Sequence, residues 1–166
     1  MNVGLLLLRL AVGLTIAAHG AQKLFGWFGG PGLDGTGQFL ETIGFRTGRR
    51  QAAMAGLAEM VGGLLLTLGL LTPLGAAAVI IVMIVAIFSV HINKGFFGQN
   101  GGYEYSLLLA TAALTIALTG PGSLSLDEVL GNSLSGLAAG LAALFLAILA
   151  SVVLLAQRRT EHGNVK

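Results

Sequence analysis

An all-α integral membrane protein, an antiparallel four-helix transmembrane core followed by a fifth transmembrane helix towards the C-terminus, is the fold the sequence predicts. Three observations carry that prediction. Of 166 residues, 55% are hydrophobic and only 10% charged, against about 25% charged in an ordinary soluble domain. The apolar runs are continuous rather than alternating, and several reach the roughly 20 residues a helix needs to cross a bilayer. Lipid offers no partner to an open backbone, so helices are the consistent spanning element. Finally, many of the 26 glycines sit inside those runs, where membrane helices use small residues to approach closely.

The first span is expected over 4–25. It carries Arg9 in its outer half and His19, Gln22 and Lys23 near its inner end. A cleaved signal peptide is disfavoured, because no positive charge precedes the apolar run and Arg9 interrupts it. Residues 26–50 turn to Gly, Pro and Thr, with Trp27 and Phe28 at the position of an interfacial belt. Phe39, Leu40 and Ile43 there fall on one side of a short helix-like stretch, which reads either as an interfacial amphipathic helix or as a polar loop.

The second span, 51–71, holds one acid, Glu59. Thr72-Pro73 reads as a stop and restart, with Thr72 as cap and Pro73 in the first turn, so the third span, 74–91, folds back as a hairpin. A glycine-punctuated polar connection from His91 to Gly102 follows. Tyr103-Glu104-Tyr105 opens the fourth span, 103–119, which Gly120-Pro121-Gly122 ends. Ser125 is a cap ahead of Asp127 and Glu128. The fifth span covers 134–156 and either packs on the bundle or mediates association through Gly136 and Gly140, a small-xxx-small spacing. Residues 1–131 thus form the four-helix core, and 132–166 the added helix and a charged tail.

Charge sidedness gives the orientation. With the N-terminus outside, Lys23, Arg46, Arg49, Arg50, Lys94, Arg158, Arg159 and Lys166 all fall on the inner side, which leaves Arg9 as the one basic residue within a span. Asp127 and Glu128 fall outside. The excess of inner positive charge predicts N-out and C-in in a cell membrane.

An arginine inside a bilayer costs roughly 2.5 to 3.5 kcal/mol on insertion scales, so it needs a partner, a cavity or a role. The expected partner is Glu59, with both side chains extended; snorkelling outwards is the alternative. His19 lies about 9 Å and Glu59 about 12 Å from the inner ends of their helices at 1.5 Å per residue, and His91 and Glu104 sit near the inner interface. A stripe of Arg9, Gly13, Ile16, Gly20 and Lys23 on the first helix and one of Glu104, Leu108, Thr111, Thr115 and Thr119 on the fourth are expected to face each other. Two readings are open: a partly polar pocket, or a charge-neutral strut that specifies helix pairing.

The ligand-contacting or proton-handling candidates are His19, Lys23, Glu59, His91, Asn100 and Glu104. Either histidine can hydrogen-bond a ligand carbonyl such as a quinone's, pass a proton, or sit satisfied at the interface. Gln99-Asn100-Gly101-Gly102 offers amide and backbone donors, or is only a turn. No two metal ligands share a helical turn in the pattern of di-iron bundles, so no metal is expected. The absence of cysteine excludes thiol and iron-sulfur chemistry within the chain.

Several stretches together resemble the DoxX family of small prokaryotic membrane proteins. They are Leu8-Arg9-Leu10, His19-Gly20-Ala21-Gln22-Lys23-Leu24-Phe25, the lone Glu59, and Asn100-Gly101-Gly102-Tyr103-Glu104-Tyr105. The resemblance covers 4–131 and leaves the fifth span outside the four-helix family core. The family takes its name from the small subunit of an archaeal thiosulfate:quinone oxidoreductase. It therefore implies a quinone-associated subunit or accessory of a membrane oxidoreductase, with quinone as the cofactor and a membrane or cytoplasmic redox subunit, or a further copy, as partner. Nucleic acid is not an expected partner. A small transporter and a purely structural membrane partner are the competing classes.

Overall fold

The structure, a computed structural model, describes residues 2–132 and 134–158. Among the described residues the chain is helical with no strand. Its elements are α1 (Asn2–Phe25), α2 (Gly32–Thr42), α3 (Gly48–Leu68), α4 (Thr72–Ala86), α5 (Glu104–Thr119), α6 (Leu126–Val129) and α7 (Leu137–Ala156). α4 continues through a π-helical turn, Ile87–His91, and a 3-10 turn, Ile92–Lys94. Arg159 and Lys166, assigned above to the inner side, lie outside the described residues.

Among the described residues, four helices are long and apolar enough to cross a membrane: Asn2–Phe25, Gly48–Leu68, Thr72–Lys94 and Leu137–Ala156. The expected fourth span is the apolar helix α5, at nearly the expected bounds but shorter. α5 has 16 residues, about 24 Å at 1.5 Å per residue, short of the roughly 30 Å hydrocarbon core. Gly102 and Gly120-Pro121 bound it before it can lengthen.

Close backbone approach organises the bundle. α1 and α3 run antiparallel, with Gly13 against Gly63 and Thr67, and Gly20 against Gly56 and Met60. A Cβ on Gly20 would come within 2.5 Å of Met60 N, which no packed helix pair accommodates. α4 is the hub of the remainder, packing on α3, α5 and α7, while α5 also meets α7 and α1. Ile16, Leu66, Val79, Ala113, Ile116 and Ala147 form the fully buried centre. α7 joins this core, and its Gly140 packs on Leu118 of α5 rather than facing outwards. Large apolar side chains such as Leu57, Val61, Phe145 and Leu149 remain exposed around the outside, as lipid-facing positions require.

Residues 26–50 contain a true helix. α2 packs its Thr36 and Gly37 face inwards on the start of α3, and Glu41 accepts the Gly48 N–H at 2.9 Å, capping α3. Phe39 points away, 47% exposed. The α3–α4 turn also differs from expectation in one detail. Thr72 does not cap its own helix; the cap is Asp127, far along the chain, which accepts Leu71 N–H at 2.8 Å, Thr72 N–H at 3.0 Å and the Thr72 hydroxyl at 2.7 Å. Pro73 takes the first-turn position, and Ser125 accepts Glu128 N–H as expected.

The α5 stripe does not face α1. Thr111, Thr115 and Thr119 are exposed, and the hydroxyls of Thr115 and Thr119 donate to the carbonyls four residues earlier. A threonine that satisfies its own helix needs no polar pocket.

Candidate functional site

Two polar layers lie along α1, one turn of antiparallel logic apart from what side-chain length alone suggests. Because Gly13 meets Gly63 and Gly20 meets Gly56, Arg9 comes opposite Gly69 while Lys23 comes opposite the turn bearing Glu59. Arg9 and Lys23 are 14 residues apart, about 21 Å along the helix. The expected Arg9–Glu59 pair is therefore replaced by two separate arrangements.

In the outer layer Arg9 is 1% exposed. Its guanidinium donates to Pro121 O at 2.6 Å and to Leu124 O at 2.5 Å. It sits beside Gly69, whose φ of +61° and lack of Cβ leave room for the head group. Asp127 supplies the nearby negative charge, while its own oxygens hold the α3–α4 turn and Asn132 Nδ2 at 2.8 Å. Burial alone would raise the Asp127 carboxyl, but the hydrogen bonds from Thr72, Leu71 and Asn132 outweigh it and hold the group below its usual value.

The inner layer is made of side chains. Lys23 Nζ donates to both oxygens of Glu59, at 2.6 and 2.5 Å. Glu59 is 2% exposed and Lys23 28%, so the pair is buried on the acid's side and open on the amine's. One turn earlier, His19 Nδ1 lies 3.0 Å from Gln22 Oε1, and His19 Nε2 lies 3.1 Å from the Tyr105 hydroxyl. An amide oxygen only accepts, so with that amide orientation Nδ1 carries the proton and neutral Nε2 accepts from Tyr105. The two rings meet edge to face, centroids 5.9 Å apart.

These groups converge because α1 places His19, Gln22 and Lys23 at i, i+3 and i+4, on adjoining parts of one turn. Gly20 and Gly56 then let α3 close beneath them. Tyr105, in the first turn of α5, reaches the histidine from the other side.

The remaining candidates do something different. His91 Nδ1 donates to Gly101 O at 2.7 Å, and Glu104 Oε2 accepts Gly98 N–H at 2.8 Å. Both therefore tie down the connection between α4 and α5. The N–H groups of residues 100–104 are taken by the carbonyls of Phe97, Gly98, Phe97, Gly95 and Phe96, which makes this loop a self-satisfied turn rather than a cradle of donors. Asn100 is exposed within it. Of the six candidates, the fold gathers His19, Lys23 and Glu59 and adds Gln22 and Tyr105. Among the described residues, no group of three or more metal-ligating side chains forms.

The cluster offers donors of the kind a carbonyl ligand takes. Lys23 has an N–H beyond the two directed at Glu59, and the Phe25 and Trp27 rings, 5.1 Å apart, follow directly on the same chain end.

Comparison with known proteins agrees with the architecture. A family model described as DoxX matches residues 4–92. CatD of Bacillus subtilis, whose name marks it as a candidate oxidoreductase, is 34% identical over 126 residues, 76% of this chain and 86% of that protein. A membrane protein of Mycobacterium tuberculosis is 32% identical over 135 residues, 75% of this chain and 80% of its own length. The inner membrane protein YphA of Escherichia coli is 30% identical over 129 residues, 75% and 88% respectively. No solved structure gives a significant match. With a family model spanning more than half of its length and relatives covered nearly end to end, this chain is an all-helical membrane protein that belongs to the DoxX family.

Proposed function

We propose that this protein is a quinone-associated subunit or accessory of a membrane oxidoreductase, with the His19, Lys23, Glu59 and Tyr105 cluster as its ligand end. The observation that carries the reading is the Lys23–Glu59 pair, both of whose acid oxygens are engaged while the amine stays partly open. Quinone supplies two-electron, two-proton carrier chemistry when bound. The chain's own part is to present donors and to hold protons. The Tyr105 hydroxyl donates to His19 Nε2 while Nδ1–H donates to Gln22, so the imidazole is oriented as a proton acceptor beside the phenol. Glu59, bridged to Lys23, fixes the ammonium at the mouth.

The reading extends to orientation and partners. N-out and C-in is supported by Lys23, Arg46, Arg49, Arg50 and Lys94 as inner charges against Asp127 and Glu128. That orientation turns the ligand end towards the cytoplasm, where a redox subunit would dock; a reporter fused to the C-terminus tests it directly. Residues 1–131 act as the family core and 132–166 as an added helix and tail. Permeation is the weaker reading, because Gly56 and Gly63 hold α3 against α1 on both sides of Glu59.

Trp27 is the only tryptophan and a convenient probe. Titration of the purified protein with a short-chain quinone is expected to quench its fluorescence saturably, with affinity reduced by Tyr105→Phe and by Lys23→Met. Linear quenching identical in both variants would refute the assignment.

A further inference from the structure

Away from the His19 cluster, α3 and α7 both pack on α4, and a groove of about 460 Å³ runs between them. Ile81, Val82 and Val85 of α4 form its floor, Ala55 and Ala58 one wall, Val153 the other. Its lining is almost wholly apolar. The small alanines keep α3 from filling it, and it is open on the lipid side.

One end of the groove changes character. It runs into a second pocket, of about 660 Å³, which shares Gln51, Met54 and Leu154 with it. This pocket is lined by Arg46, Arg50 and Arg158, and its described lining carries no carboxylate. Arg158 is held in place: its Nε and Nη2 donate to Ile43 O at 3.1 and 2.9 Å, and its guanidinium lies over the Phe45 ring, 5.5 Å from the centroid. Arg49, by contrast, turns away to Asp34 at 2.6 Å. The residues that remain at the pocket are thus a fixed guanidinium and two exposed ones.

An apolar channel at acyl depth that ends in three arginines at head-group depth matches one kind of molecule in shape and charge. We infer that this is a binding site for a single anionic phospholipid, its phosphate among Arg46, Arg50 and Arg158 and one acyl chain along the α3–α4–α7 groove. Electrostatic attraction of a basic cluster to anionic lipid selects the head group, and burial of methylenes holds the tail. Neutral lipid would fill the groove but leave the arginines without an anion. α7 lies beyond the residues matched by the family model, so the added helix completes this site.

The test is lipid retention. Protein reconstituted into vesicles of phosphatidylethanolamine with a minority of phosphatidylglycerol is extracted in mild detergent, and bound lipid is counted by native mass spectrometry. The wild type is expected to keep one phosphatidylglycerol in preference to phosphatidylethanolamine. R46Q combined with R50Q, both at exposed positions, should lower that preference roughly tenfold or more. Ala58→Trp should fill the groove and release the lipid although every arginine remains. If that variant fails to fold, Met54→Phe at a half-exposed wall position serves the same purpose. Equal retention of the two lipids by the wild type would overturn the inference. So would retention unaffected by the arginine substitutions, or displacement of the lipid by inorganic phosphate alone, which would mark a free-anion site.

Discussion

The two polar layers of α1 contain similar ingredients and are built in opposite ways. At Arg9 the charge is spent on backbone: two carbonyls of the α5–α6 connection take its donors, and the neighbouring Asp127 caps another helix. Every one of those partners is fixed by the chain's own path, so the layer is a staple that joins α1, the α3–α4 turn and α6. At Lys23 the partners are side chains that rotate, one face is open, and an imidazole and a phenol extend the network. A group held by backbone carbonyls has no partner that can turn away. A group held by side chains can change partner, and that is what a ligand or a proton requires.

Substitutions separate the two layers by the size and kind of their effects. The largest loss of stability is expected from Arg9→Met, which leaves the Pro121 and Leu124 carbonyls and Asp127 without their cation; about 3 kcal/mol is expected, read from denaturant unfolding in detergent. Combining Arg9→Leu with Glu59→Leu should be additive within about 0.5 kcal/mol, since the two do not touch. A large favourable coupling would restore the direct pair and remove the two-layer description.

Lys23→Met comes next. It strands Glu59 in a buried position, at about 2 kcal/mol, and a further Glu59→Leu should recover part of that loss. The recovery is expected in stability but not in quinone quenching, which distinguishes a ligand site from a strut.

The outer layer also predicts an acid limb. Asp127 is held below its ordinary value in the folded chain, so its stabilisation is complete above the usual carboxylate range and is lost as pH falls through the depressed folded value. Melting temperature should therefore decline below about pH 4, and Asp127→Asn should be lower at neutral pH while flattening that decline. A variant with the same acid limb as the wild type would remove Asp127 from the account. The smallest structural effect is expected from Tyr105→Phe: within about 1 kcal/mol in stability, with the loss confined to ligand affinity.

Much was legible before any coordinates. Continuous apolar runs specify helices in a membrane regardless of how they pack, and the chain's helices fall close to the expected positions. The stripe of Arg9, Gly13, Ile16 and Gly20 is indeed buried on α1, because helical periodicity is a local property. His19, Lys23 and Glu59 were visible as polar anomalies for the same reason. Tyr105 was not, since a tyrosine at a helix start reads equally well as an interfacial anchor.

Pairing across helices required the tertiary structure. Whether Arg9 or Lys23 meets Glu59 depends on the register of α1 against α3, which Gly13, Gly20, Gly56 and Gly63 set through contacts absent from either helix alone. The same holds for Asp127, whose turn partners are 55 and 56 residues away. It holds again for α5, whose threonine stripe looks inward by period and faces outward once Ala113 and Ile116 take the core. The sequence by itself determined the solvent, the helices and the chemistry on offer. Only the folded bundle decided which charges meet, because register and rotation are fixed by close backbone contact between segments far apart in the chain.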